Sequence, residues 1–167
     1  MYIGDYLGRR AIYSPDKLAV VDVGHDPVLR LTYAEMNDRA NRLANWLQTE
    51  AGIGKGDRVA ILAKDGIVHL DCFFACSKLG AIHTALNWRL HWRELAGICA
   101  NTTPQVLIYS GDFLESVKRL QGDAGAESIS HYLYLEGEGA PHSSHYATAL
   151  NSGLPDPIFD QTVEAED

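Results

Sequence analysis

Apolar segments of two lengths alternate through the middle of this chain, and that alternation constrains its fold more than any other feature. RVAILA at 58–63 is followed by IVHLDCFFACSKL at 67–79, IHTAL at 82–86, WRELAGICANT at 92–102 and QVLIY at 105–109. The short runs are rich in β-branched residues and nearly continuous in apolar character, as strands covered on both faces are. The longer segments between them have helical length. Strand–helix–strand–helix–strand with short connections predicts the α/β class, a mostly parallel sheet with crossover helices. A helix over 113–120 and a last strand, HYLYLE at 131–136, extend the pattern.

Upstream, residues 2–13 predict a short amphipathic helix with Ile3, Leu7, Ala11 and Ile12 near one face, stopped by Ser14-Pro15-Asp16. LAVVDV at 18–23, GHDP and VLRLTY at 28–33 predict an N-terminal hairpin. Thr32 and Glu35 carry the signature of a capping box, in which each side chain bonds the other's backbone N–H. Tyr33, Met36, Ala40, Leu43, Ala44 and Leu47 then keep helical spacing and predict the buried face. Asn37, Asp38, Arg42, Asn45 and Gln48 fall on the wetter side. In the helix at 67–79 the expected buried stripe is Ile67, Leu70, Phe73, Phe74 and Ser77, with Gly80 as the stop.

Several stretches invite a chemical reading. GIGKGDRVAIL at 52–62 resembles a phosphate loop by its glycines and lysine, but such a loop follows a strand and opens a helix. Here a helix precedes and a strand follows, and neither GxGxxG nor GxxxxGK[ST] is present. Gly52 therefore reads as a helix C-cap, and Gly54 and Gly56 as turn residues. His69, Cys72 and Cys76 fall at i, i+3 and i+7, yet a structural zinc takes four ligands and nothing completes this set, so core packing is the expectation. His142 and His145 are expected at the surface. NWRLHWRE at 87–94 mixes tryptophans with arginines as single-strand binding surfaces do. It is short, and its plainer reading is the amphipathic start of a helix.

A chain of 167 residues makes one domain or a large piece of one. Its formal charge of -8 argues against a nucleic-acid partner. No stretch approaches the ~20 apolar residues of a membrane span. The early arginines do not suit a secretory signal, and three cysteines give no disulfide framework, so a cytoplasmic location is expected. Composition changes near residue 136. Residues 1–136 are expected to form an α/β unit, and 137–167 a connecting segment with an acidic end.

Three ordered blocks go further. LTYAEMNDRANRLANWL, GIGKGDRVAIL and FFACSKLGAIHTALNWRL resemble the opening part of the adenylate-forming (AMP-binding) enzymes, and LNWRL followed by WREL is most similar to fatty-acyl-CoA synthetases. The chain departs from the family pattern at Asp65-Gly66-Ile67-Val68 and at Ala85, where many members have proline. The resemblance implies a parent enzyme that uses ATP and Mg2+ to convert a carboxylic acid into an acyl-adenylate, then coenzyme A to form a thioester. It implies an incomplete N-terminal subdomain of that fold, because the family's Ser/Thr/Gly-rich loop with lysine is not in this sequence. The remainder of the parent chain is then the main partner, self-association through the uncovered face is expected, and the chain alone is expected to be inactive. Arg89 is the one residue the resemblance marks, as a contact for phosphates of coenzyme A. Two alternatives stand beside this reading: an independent module binding a nucleotide or coenzyme, and a protein-interaction domain.

Overall fold

The computed structural model describes residues 5–24 and 26–158. Helix α1 (Tyr6–Tyr13) leads into a hairpin of β1 (Leu18–Asp22) and β2 (Leu29–Thr32), and α2 (Tyr33–Thr49) follows without a loop. Then come β3 (Arg58–Leu62), α3 (Ile67–Leu79), β4 (Ile82–Ala85), α4 (Trp92–Thr102), β5 (Val106–Tyr109), α5 (Leu114–Leu120), β6 (His131–Tyr134), β7 (Ser143–His145) and α6 (Tyr146–Ser152). Strands β3 to β7 form one parallel sheet in the order β4-β3-β5-β6-β7, and β1 and β2 pair antiparallel by themselves.

Residue alternation in the central strands builds two cores. Val59, Ile61, Val106 and Ile108 face α2, α3 and α6, where they meet Leu47, Cys72, Leu79 and Leu150. Ala60, Leu62, Leu107 and Tyr109 face α4 and α5, where they meet Leu95, Cys99, Val117 and Leu120. Strands covered on both sides need apolar residues at every position, which is why RVAIL and VLIY lack the polar alternation of a one-sided sheet. A third cluster of Leu7, Leu31, Met36, Ala40 and Ile67 joins α1 and the hairpin to α2 and α3.

Local signals operate as the sequence predicts. Thr32 and Glu35 form both halves of the capping box at α2. Gly80 ends α3 in the left-handed conformation at φ 66, which favours a residue without Cβ. The glycine-rich segment is a turn: Gly52 and Gly56 take φ of +68 and +84, and Asp57 accepts from Gly54 N at 2.9 Å. The turn rests on the end of α3, where Gly56 N donates to Gly80 O at 2.9 Å.

Elsewhere the structure corrects the sequence. Tyr33 starts α2 instead of ending the hairpin. In α1, Leu7 is buried but Ile12 is 78% exposed, and Ile3 lies outside the described residues. The buried face of α3 is Ile67, Val68, Asp71, Cys72, Ala75, Cys76, Lys78 and Leu79, whereas Phe73 is 52% exposed. A helix this apolar offers no polar stripe to fix its rotation. HYLYLE is not the last strand: β7 pairs parallel with β6 through Ser143, Ser144 and His145, and α6 buries Tyr146, Ala149 and Leu150 in the first core. Residues 143–152 therefore extend the same sheet and core.

Candidate functional site

In the order β4-β3-β5-β6-β7 the chain leaves β3 for one neighbour and returns to the other side of it. The carboxyl ends of β3 and β5 thus flank a topological switch point, the usual crevice for ligands in open parallel sheets. A cleft of about 510 Å³ opens there, within the size range of small-molecule sites. Lys64, Asp65 and Gly66 enter it from the end of β3, Ser110 and Glu136 from the ends of β5 and β6, and Arg39 and Tyr146 from α2 and α6.

The wall of this cleft is fixed by a buried charge network. Arg39 donates to Asp71 through Nε at 3.0 Å and Nη2 at 2.5 Å, and Tyr146 OH donates to Asp71 Oδ2 at 2.8 Å. Asp71 is only 2% exposed, so α2, α3 and α6 are tied through one carboxylate inside the core. Burial opposes the Arg39 charge, while the hydrogen bond and charge of Asp71 more than restore it and raise the guanidinium pKa. Burial, followed by the Asp71 charge, pushes the Tyr146 phenol well above its ordinary value. At the mouth of the cleft, Asp22 from the hairpin accepts from Ile67 N at 2.7 Å and caps α3. Glu136 accepts from the Ser110 hydroxyl and from Gly111 N.

Arg89 does not line this cleft; it lies in the turn between β4 and α4. Its backbone N–H donates to Asn87 Oδ1 at 3.0 Å, and its guanidinium carbon sits 4.1 Å from the centroid of the Trp88 ring. Lys64 links the two places: it lines the cleft, pairs with Asp112 at 2.8 Å and lies 5.7 Å from the Trp88 centroid.

The other residues marked from the sequence are not drawn into the cleft. Cys72 and Cys76 are buried in the first core, and His69 points its Nε2 at Ala63 O, 3.3 Å away. The Cys76 side chain and burial together hold the Cys72 thiol pKa well above its ordinary value, as suits an inert core thiol. His145 caps α6 and stacks edge-on to Tyr134 at 4.9 Å, while His142 is exposed. Among the described residues no three His, Cys, Asp or Glu side chains group as a metal site. Sequence reasoning missed Asp71, although a carboxylate in so apolar a helix demands a buried partner.

Two buried phenols give this core an alkaline signature. Burial raises Tyr132 to about 12, and Tyr146 is raised as well. Above the ordinary tyrosine pKa of about 10, the unfolded chain loses protons that the folded chain keeps. The unfolded state then binds fewer protons, so stability falls as pH rises through that range. Lys78 contributes with the opposite sign, since burial lowers its pKa. Urea unfolding at about pH 9 and about pH 11 is expected to show a drop that the Tyr132→Phe, Tyr146→Phe double variant reduces, the remainder coming from the Cys72 and Cys99 thiols, which are also raised. An unchanged slope in that variant refutes the assignment.

An open parallel sheet with helices on both faces and a cleft at its switch point defines a doubly wound α/β protein, and comparison with known proteins narrows the class. Residues 7–164 match the AMP-binding enzyme family, and the chain belongs to that family. A long-chain-fatty-acid–CoA ligase of Mycobacterium tuberculosis is 37% identical over 141 residues, 78% of this chain and 27% of the relative. A feruloyl-CoA synthase of an Amycolatopsis species is 40% identical over 118 residues, 71% of this chain and 23% of the relative. Among solved structures, the inhibitor-bound N-terminal domain of FACL13 from Mycobacterium tuberculosis superposes with a TM-score of 0.84 at 29% identity. That superposition covers 98% of this chain and 38% of the other. The chain thus spans about a quarter of the length of these curated relatives.

Proposed function

We propose that this chain is the N-terminal part of an ATP-dependent, AMP-forming acyl-CoA ligase that acts on fatty acids. The observation that carries the reading is the family match across residues 7–164, supported by the likeness to a fatty-acid–CoA ligase and to the N-terminal domain of FACL13. Its own contribution is a framework: a rigid parallel sheet whose carboxyl edge holds a cleft with Arg39, Lys64 and Ser110 on the wall.

The groups that grip the triphosphate are assigned to the rest of the parent chain, because no Ser/Thr/Gly-rich loop with lysine occurs in this sequence. No step through Mg2+ is assigned to these residues either. Coenzyme A, when bound, supplies the thiol that accepts the acyl group. Arg89 suits its phosphates: the guanidinium is exposed, is held against Trp88 and forms no ion pair among the described residues. A planar, permanently charged donor in that state binds phosphate by forked hydrogen bonds.

The isolated 167-residue chain is expected to give no ATP–pyrophosphate exchange with any fatty acid. The protein encoded by a longer reading frame that includes this segment is expected to form acyl-CoA and AMP. Exchange by the isolated chain overturns the division of labour, and a long product that makes no acyl-CoA overturns the ligase reading.

A further inference from the structure

Helices α4 and α6 both start on a histidine. His91 Nδ1 accepts from Arg93 N at 3.4 Å, and His145 Nδ1 accepts from Ala147 N at 3.1 Å. Only a neutral imidazole caps a helix in this way, because both ring nitrogens are donors once the ring is charged. Protonation removes the cap and also sets a positive charge at the helix end that favours a negative one. Histidine is the side chain whose ordinary charge change falls between pH 5 and 8.

The two caps differ in what stands behind them. Glu94 lies in the first turn of α4 and accepts from His91 N at 2.8 Å, so a second capping bond and a negative charge remain there when His91 is protonated. The first turn of α6, Tyr146-Ala147-Thr148-Ala149, carries no acidic residue, and His145 is its side-chain cap. With seven residues, α6 is far too short to be stable by its own hydrogen bonds. Its first residue, Tyr146, is the one that reaches Asp71 and lines the switch-point cleft.

The surroundings of His145 leave the cap as the weak point. His145 is the last residue of β7, paired with Tyr134 of β6, and the two rings meet edge-on at 4.9 Å. That pairing keeps its backbone in the sheet whatever the charge on the ring. Behind Tyr146, Asp71 of α3 and Arg39 of α2 are paired with each other. Glu136, just past β6, is taken up by the Ser110 hydroxyl and Gly111 N, and His142 on the near side of β7 is exposed. Among the described residues no carboxylate forms an ion pair with His145.

We propose that His145 is an acid-sensitive latch on the cleft: neutral, it caps α6 and keeps Tyr146 on Asp71; protonated, it frees the start of α6 and with it that wall of the cleft. The latch does not depend on the acyl-CoA ligase reading. Loss of a side-chain cap shifts a helix-start equilibrium about two- to thirtyfold, and a cation at the N-terminal end adds a factor of about two to five.

Hydrogen exchange of the full 167-residue chain tests this, read as protection factors so that the pH dependence of free-amide exchange is already removed. Protection of the Leu150 and Asn151 amides in α6 is expected to fall about tenfold from pH 8 to pH 6, while Cys99 and Ala100 in α4 stay level. His145→Asn supplies a cap that does not titrate and is expected to keep α6 protection level over the same range. His145→Ala is expected to give low α6 protection at both pH values. Level α6 protection in the unaltered chain, or a tenfold fall in either variant, overturns the latch. An equal fall in α4 overturns it too, because the effect is then a general loss of stability.

Discussion

Asp71→Ala is expected to cost about 3 kcal/mol of folding stability, at the lower end for breaking a buried pair, because the carboxylate is buried while the guanidinium reaches the cleft. Asp71 is 2% exposed and accepts from Arg39 twice and from Tyr146 once. Removing it leaves the Arg39 Nε and Nη2 donors without their carboxylate on the inner side of a guanidinium that is 25% exposed toward the cleft, and leaves the Tyr146 hydroxyl without an acceptor. The loss is a large share of the 5–15 kcal/mol typical of a domain. Tyr146→Phe removes only one bond to a charged group and is expected to cost about 1.5–3 kcal/mol. Replacing both partners, as in Arg39→Met with Asp71→Leu, is expected to recover much of the loss, since an apolar pair of similar size carries no desolvation penalty. Urea midpoints for the four proteins measure this. A loss below about 1 kcal/mol in Asp71→Ala would falsify the network as a structural tie.

The same network shows why part of this protein was readable before folding and part was not. Features with a local cause were legible. The Thr32–Glu35 box needs only residues three apart, the Gly80 stop needs one positive φ, and the turn at 52–56 follows from which element precedes it. The parallel sheet was legible for a related reason, since two-sided burial demands the uninterrupted apolar runs RVAIL and VLIY.

What was hidden depends on partners distant in sequence. Lys78 is 1% exposed on α3, and it is satisfied by Asp5 and Asn37, which lie 73 and 41 positions away. Periodicity in an all-apolar helix has no means of choosing the face that carries Lys78 and Asp71. Strand β7 was invisible because Ser143, Ser144 and His145 carry no apolar signal. They extend the sheet by backbone pairing with β6, beside a Tyr109 OH that accepts from Ala140 N at 2.7 Å and donates to Ser143 Oγ at 3.0 Å. The cleft was likewise beyond reach, as its lining comes from the ends of three strands, from the hairpin turn and from three helices. Arg89 was marked by resemblance alone, and its stacking on Trp88 belongs to the fold.

Gly153→Ala is the second large effect, with an expected cost of about 3 kcal/mol, at the upper end for overpacking. The backbone there is extended, φ -68 and ψ 143, which any residue adopts, so the objection is purely one of space. A Cβ on Gly153 would stand 2.0 Å from Arg42 O and 2.7 Å from Arg42 C, against the middle of α2. That helix has no freedom to retreat, because Leu43, Ala44 and Leu47 beside the contact are wholly buried. The end of α6 must move instead, and with it the segment that follows. Asn45 Nδ2 bonds Leu154 O and Asp156 O at 3.0 Å each, Asn41 Nδ2 bonds Pro155 O at 2.9 Å, and Arg42 Nη1 bonds Gly153 O at 3.2 Å. Gly52→Ala is the matched control. It has a positive φ of +68 but no atom within 4 Å, so its cost is only the left-handed backbone, about 1 kcal/mol. Urea midpoints of the two variants are expected to rank Gly153→Ala well below Gly52→Ala. Equal midpoints would mean that α6 docks on α2 more loosely than this close approach requires.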